Sequence, residues 1–90
     1  MSVERQRIDR WLWHARIVRT RTAAASLTQA GHVRVNGARV TAPGREIKCG
    51  DVITVALDRR VRVLEVCGFA VRRGDAAAAL SLYRDIERDS

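Results

Sequence analysis

The chain has 90 residues, 47% of them hydrophobic, with a single Pro, six Gly and a formal charge of +7 from 17 basic and 10 acidic side chains. A chain this short is expected to form one domain with a modest core, burying about 60% of the surface it exposes when unfolded, and no second one; the apolar content argues against wholesale disorder. Residues 1–48 carry ten basic groups against three acidic ones and residues 49–90 carry seven of each, so a polyanion is the expected partner and the first half its expected site.

In chain order, Ile8, Trp11, Leu12 and Ala15 follow the i, i+3, i+4, i+7 spacing of one helical face, which predicts a first helix over 7–18. Thr20 is placed to cap a second, Ala-rich helix through Ala23, Ala24 and Leu27 to Ala30, and Gly31 to end it in a left-handed cap. The period then switches to two. Val33 and Val35 alternate with His32 and Arg34, and Asn36-Gly37 supplies the two positive-φ positions of a type I′ hairpin turn before Ala38-Arg39-Val40. Pro43-Gly44 and Gly50-Asp51 mark two more turns, with strands at 46–48, 52–57 and 61–66 in a small, twisted, mostly antiparallel sheet. Beyond Gly68, Asp75 is the expected N-cap of a third helix with Ala79, Leu82, Tyr83 and Ile86 on its apolar face, and the sign-alternating tail from Arg84 is expected to fray. The expected division is 1–68 as the binding domain and 69–90 as a helical extension packed on it.

Arg16, Arg19 and Arg21 bunch at the turn between the first two helices, with Arg7 and Arg10 on the flank of the first and Asp9 the only acid among them. Like charges so close repel one another unless an anion joins them. The N-terminus of the second helix adds free N–H groups and the positive end of a dipole, with the hydroxyls of Thr20 and Thr22 as further donors or caps. Arg34 and Arg39 flank the Asn36-Gly37 turn and form the expected second wall of the same corner, with the Asn36 amide structural first and within reach of a phosphate or ribose. Trp11 and Trp13 cannot share a helix face: Trp11 belongs to the core, and Trp13 either packs or stacks a base. Of the 17 basic residues all but Lys48 are Arg, which reflects either a compositional bias or the bidentate chemistry that phosphate favours.

Other classes find little support. The sequence has no Walker-type phosphate loop, paired carboxylates or nucleophile-base pair, so no enzymatic activity and no cofactor are expected. His14, His32, Cys49 and Cys67 lack metal-ligand spacing, so no metal is expected. A charged N-terminus without an apolar segment and two widely spaced cysteines read as cytoplasmic with reduced thiols, and no apolar run approaches the ~20 residues that span a bilayer.

The segment RIDRWLWHARIVRTRTAAASLTQAGHVRVNGARV resembles the S4-type RNA-binding domain. The family's Arg-Leu-Asp-x-x-Leu opening falls on Arg7, Ile8, Asp9 and Leu12, its basic-Thr-Arg turn on Arg19, Thr20 and Arg21, and its Gly-x-Val-x-Val-Asn-Gly close on Gly31, Val33, Val35, Asn36 and Gly37. The Pro43 to Ile53 segment is similar to the family's Pro-x-x-x-Val-x-x-Gly-Asp-x-Ile, with Gly44 where Ser is usual. Trp11-Leu12-Trp13, Ala15-Arg16, Arg72-Arg73 and Tyr83 look most like the ribosome-associated heat shock protein 15 group, although that group's long basic C-terminal extension is replaced here by a short acidic end. The resemblance implies an α+β fold with a helix-helix-hairpin motif, and ribosomal RNA of the large subunit as ligand, including stalled subunits that carry a nascent chain.

Together these readings predict a domain that grips structured RNA through Arg7, Arg10, Arg16, Arg19, Thr20, Arg21, Arg34, Asn36 and Arg39, with its oligomeric state left open and a monomer favoured. Two alternatives stay open: a DNA-binding helix-turn-helix, disfavoured by the short side chains of the second helix, and an accessory subunit that lends RNA binding to an RNA-modifying enzyme.

Overall fold

The computed structural model describes residues 4–86. A short strand β1 (Arg5–Arg7) leads into helices α1 (Ile8–His14) and α2 (Arg21–Gln29), followed by the hairpin β2 (Val33–Val35) and β3 (Ala38–Val40). Strands β4 (Glu46–Lys48), β5 (Val52–Ala56) and β6 (Val61–Val66), a one-turn helix α3 (Ala76–Leu80) and strand β7 (Tyr83–Asp85) complete the order. Five strands make one sheet in the order β3-β2-β5-β6-β7, and β1 pairs with β4 in a separate ribbon; every pairing is antiparallel. The expected α+β class and the antiparallel sheet are therefore observed.

The α1 stripe of Ile8, Trp11, Leu12 and Ala15 packs with Ala24 of α2 and the inward residues of the strands, among them Val33, Val35, Ile53, Val55, Leu64 and Val66. Trp11 is completely buried, as expected, and its indole N–H donates to the carbonyl of Gly68 at 3.1 Å, so no polar atom of the ring is stranded.

The boundaries after α1 and α2 are both Schellman motifs. At the end of α2, Gly31 has φ +84°, its N–H donates to Thr28 and that of His32 to Leu27. At the end of α1 the same 5→2 and 6→1 pattern runs from Arg16 to Trp13 and from Ile17 to Leu12, but the left-handed position is held by Arg16, at φ +59°. The first helix therefore stops at His14 rather than near Val18. No glycine announces that stop, because Arg16 accepts the left-handed cost, about 1–2 kcal/mol for a residue with a Cβ, and both its Nε and Nη2 donate to the carbonyl of Gly74, at 3.1 and 2.8 Å.

The C-terminal segment departs furthest from the sequence reading. Asp75 caps α3 as expected, accepting from the N–H of Ala78. The helix ends at Leu80, however, and the residues from Tyr83 extend as β7 along the free edge of β6 instead of continuing the helical stripe. Cross-strand pairing outweighs helical periodicity here: Arg84 lies opposite Glu65 and pairs with it, and Arg62 takes both carboxylate oxygens of Asp85 at 2.8 and 3.0 Å. Arg84 and Asp85 thus belong to the sheet, and the N–H of Ile86 donates to the Val63 carbonyl at 2.9 Å; the rest of the expected fraying tail, 87–90, lies outside the described residues.

Residues 68–74 form a strap across β1 and α1. Besides Trp11 on Gly68 and Arg16 on Gly74, Gln6 Nε2 donates to the Ala70 carbonyl at 2.8 Å and Arg73 Nε to the Trp13 carbonyl at 3.1 Å.

Candidate nucleic-acid interface

Asp9 organises the cationic cluster. Its carboxylate is almost fully buried and accepts Nε and Nη2 of Arg7, both at 3.1 Å, together with the N–H of Arg10 at 2.8 Å. From the other helix, Nε of Arg21 stands 3.6 Å away. Arg7 and Arg21 are therefore held side by side around an internal anion, which offsets the repulsion that the sequence suggests only a ligand can relieve.

The N-terminus of α2 opens beside them. Thr20 caps it, its hydroxyl oxygen accepting from the N–H of Ala23 at 3.0 Å and its carbonyl from Ala24 at 3.1 Å. Among the described residues nothing accepts from the N–H groups of Arg21 and Thr22, the orphan donors that every helix start leaves. Arg19 and Thr22 are exposed at the same end. Backbone donors, the helix dipole and the guanidinium groups of Arg7 and Arg21 meet in one region that suits a phosphate, with Arg19 exposed at the same end of the helix.

Arg16 leaves this cluster: its guanidinium is engaged on Gly74. In its place the strap contributes Arg73, whose guanidinium lies over the Trp13 ring, 5.7 Å from its centroid. Trp13 is half-buried, with His14 tilted against it at 5.3 Å, so it packs rather than offering a free face to a base. His14 is buried, and burial pushes its pKa below the usual 6.5; the Ala70 backbone opposes this, while the nearby charges of Arg10, Arg21 and Arg73 reinforce it. Arg10, Arg21 and Arg73 thus all act on one imidazole, and Arg73 joins a cationic face otherwise built from the first half.

The hairpin turn has the expected form, with Asn36 at φ +52° and Gly37 at +85°. Arg34 and Arg39 are directly opposite and both exposed. Arg39 packs over the C-terminal cap of α2: a Cβ on Gly31 would stand 3.3 Å from its Cδ. The pair therefore sits at the far end of α2 from Arg21, roughly 13 Å along a nine-residue helix. The hairpin is not the second wall of a corner; the cations form two clusters, one at each end of the helix. Both polar atoms of the Asn36 amide are engaged, Nδ2 donating to Asp51 at 3.1 Å and Oδ1 accepting from the N–H of Val52 at 2.9 Å, so it fixes the turn against β5.

Sequence reasoning missed two members of this face. Asp9 was legible as the one acid among five arginines, and only its burial discloses that it organises them. Arg73 carries no local signal, since topology alone brings it to Trp13. Among the described residues no group of three or more His, Cys, Asp or Glu is placed to hold a metal ion, and no helix is long and apolar enough to cross a membrane. Cys49 and Cys67 are free and exposed.

A helix-helix-hairpin with these cationic clusters defines an RNA-binding module of the S4 class. A family model described as the S4 domain matches residues 6–53, and the chain belongs to that family. Its similarity to heat shock protein 15 sequences is extensive: it is 38% identical to the Aeromonas salmonicida homolog over 84 residues, covering 90% of this chain and 61% of that protein, and 30% identical to the Escherichia coli K12 protein, covering 88% and 59%. The small ribosomal subunit protein uS4 of Azorhizobium caulinodans is 41% identical over 69 residues, 74% of this chain and 34% of that one. The chain thus spans less than two thirds of the length of each of these relatives. Among solved structures, the trimeric structure of Vibrio cholerae heat shock protein 15 superposes with a TM-score of 0.86 at 31% identity, over 92% of this chain and 83% of that one.

Proposed function

We propose that this chain binds folded ribosomal RNA, that of the large subunit, and acts in a ribosome-associated stress response or the rescue of stalled subunits. The observation that carries the RNA reading is the Asp9-centred arrangement: Arg7 and Arg21 are pre-positioned beside the open N-terminus of α2, with Arg19 exposed next to them. Holding the guanidinium groups in place before binding lowers the ordering cost of a phosphate contact. Such contacts carry no sequence information, so RNA shape governs preference. The likeness to heat shock protein 15 and to a ribosomal protein supports the ribosome as the location of that RNA, and with it a cytoplasmic site of action. Binding rather than catalysis is the role that such a cationic surface suits.

Sucrose-gradient sedimentation with ribosomes tests this directly. Co-migration with large subunits at low salt, abolished in Arg19→Ala/Arg21→Ala, is the expected result. A wild-type chain that stays at the top of the gradient overturns the ribosomal reading, and equal competition by duplex DNA and rRNA fragments overturns the preference for folded RNA. With about four phosphates engaged, log affinity falls with log salt at a slope of roughly −3.

A further inference from the structure

The ribbon of β1 and β4 places like charges directly opposite one another. Its register sets Arg5 across from Lys48 and Arg7 across from Glu46, while Gln6 and Ile47 turn inward and are buried. Arg5 and Lys48 therefore stand side by side on the outer face, a destabilising placement on antiparallel strands. Arg45 joins them just before β4, and none of the ion pairs among the described residues involves any of the three. Asp51, the nearest buried acid, is already engaged: its carboxylate accepts from Asn36 Nδ2 and from the Lys48 N–H.

These residues line a groove of about 520 Å³ between the ribbon and the Asn36 turn, with Arg5, Arg45 and Lys48 as its cations and Glu46 its one exposed acid. On one side Arg7 continues the outer face two residues along from Arg5, about 6.6 Å, and shares Asp9 with Arg21. On the other side the groove ends at the turn that joins Arg34 to Arg39. It thus bridges the two cationic clusters that the length of α2 separates.

We propose that this groove is a second phosphate-binding site, in which Arg5, Arg45 and Lys48 hold the backbone of an RNA strand between its contacts at the α2 N-terminus and at the hairpin. The inference rests on the RNA binding proposed above. Guanidinium and ammonium groups donate charge-assisted hydrogen bonds to phosphate oxygens, and an anion seated between Arg5 and Lys48 turns their repulsion into shared attraction. No base edge is read, so the groove adds affinity and fixes the direction of the strand without adding sequence preference.

The test compares wild type, Arg5→Gln/Lys48→Gln and Arg19→Ala/Arg21→Ala for binding to a folded large-subunit rRNA fragment at 50 and 200 mM salt. Removing two phosphate contacts reduces the steepness of the log–log salt slope by about 1.4–1.8, so the affinity gap between wild type and the Arg5/Lys48 variant is roughly tenfold wider at 50 than at 200 mM. The variant's melting temperature without RNA equals or exceeds that of wild type, because an opposed charge pair has been removed. A wild-type slope in the Arg5/Lys48 variant, alongside weakened binding by the Arg19/Arg21 variant, overturns the groove and leaves RNA binding standing. A wild type with no salt-dependent RNA binding overturns both, and a lowered melting temperature with lost binding overturns the groove by making the pair structural.

Discussion

Asp9 grips Arg7 through two parallel hydrogen bonds of 3.1 Å while its own carboxylate lies almost wholly out of solvent. The arginine remains half-exposed, so one end of the pair is anchored in the protein and the other presented outward. Asp9→Asn keeps the shape and removes the charge, leaving Arg7 and Arg21 to repel one another. The expected loss is about 1–2 kcal/mol of unfolding free energy, since breaking a partly buried charged network costs more than a surface pair does. Urea denaturation measures it, and an unchanged midpoint denies Asp9 its organising role.

Arg16 offers a test of backbone strain against a side-chain contact. Arg16→Ala loses the donation to Gly74 and keeps a Cβ in the left-handed region, whereas Arg16→Gly loses the same contact and relieves the strain. The glycine variant should be the more stable of the two by about 1 kcal/mol. Thermal melting of both proteins decides it, and equal stabilities mean that the position is not strained.

Asn36→Gly preserves the turn's freedom to adopt positive φ but removes both amide contacts, leaving the Val52 N–H and one Asp51 oxygen without their partner. The expected cost is about 1–2 kcal/mol. RNA affinity should fall no further than the loss of order in the turn explains, which is checked by comparing affinities at a temperature where both proteins are folded.

The buried imidazole of His14 sets a pH dependence. Its folded pKa lies below the ordinary 6.5, so between the two values the unfolded chain binds the proton more readily. Stability is therefore at its full level above 6.5 and declines as pH falls from there toward the folded value. His14→Gln flattens that part of the profile in equilibrium unfolding between pH 7 and 5. A wild-type profile that is level over this range contradicts the burial of a neutral ring.

Local chemistry made α2 and the hairpin legible in the sequence: Thr20 and Gly31 are caps with a specific geometry, and Asn36-Gly37 admits few alternatives to a type I′ turn. The charge excess of the first half likewise pointed to the clusters at α2. Features decided by distant partners were not legible. Strand β1 is three residues whose only strand signal is the ribbon with β4, forty residues away in sequence. Tyr83–Asp85 keeps helical periodicity and is captured by the open edge of β6. Arg16 ends α1 without glycine because a carbonyl 58 residues downstream holds its side chain. The expected corner became two separate clusters for the same reason, since the position of Arg39 over Gly31 is a matter of tertiary packing.

The strap over α1 has a kinetic meaning. Its four side-chain anchors join residues 57 to 64 positions apart, so they form only after a long loop has closed, and such late-closing contacts slow the search for the native state. During synthesis the hairpin can assemble from what has already emerged, while α1 waits for residues 68–74 before Trp11 finds its acceptor and Arg16 its carbonyl. The anchors on Trp11, Trp13 and Arg16 therefore form late, whereas the Asp9 cluster of Arg7 and Arg21 draws only on residues that emerge early, so a chain interrupted before residue 74 would carry that cluster on an unstrapped first helix.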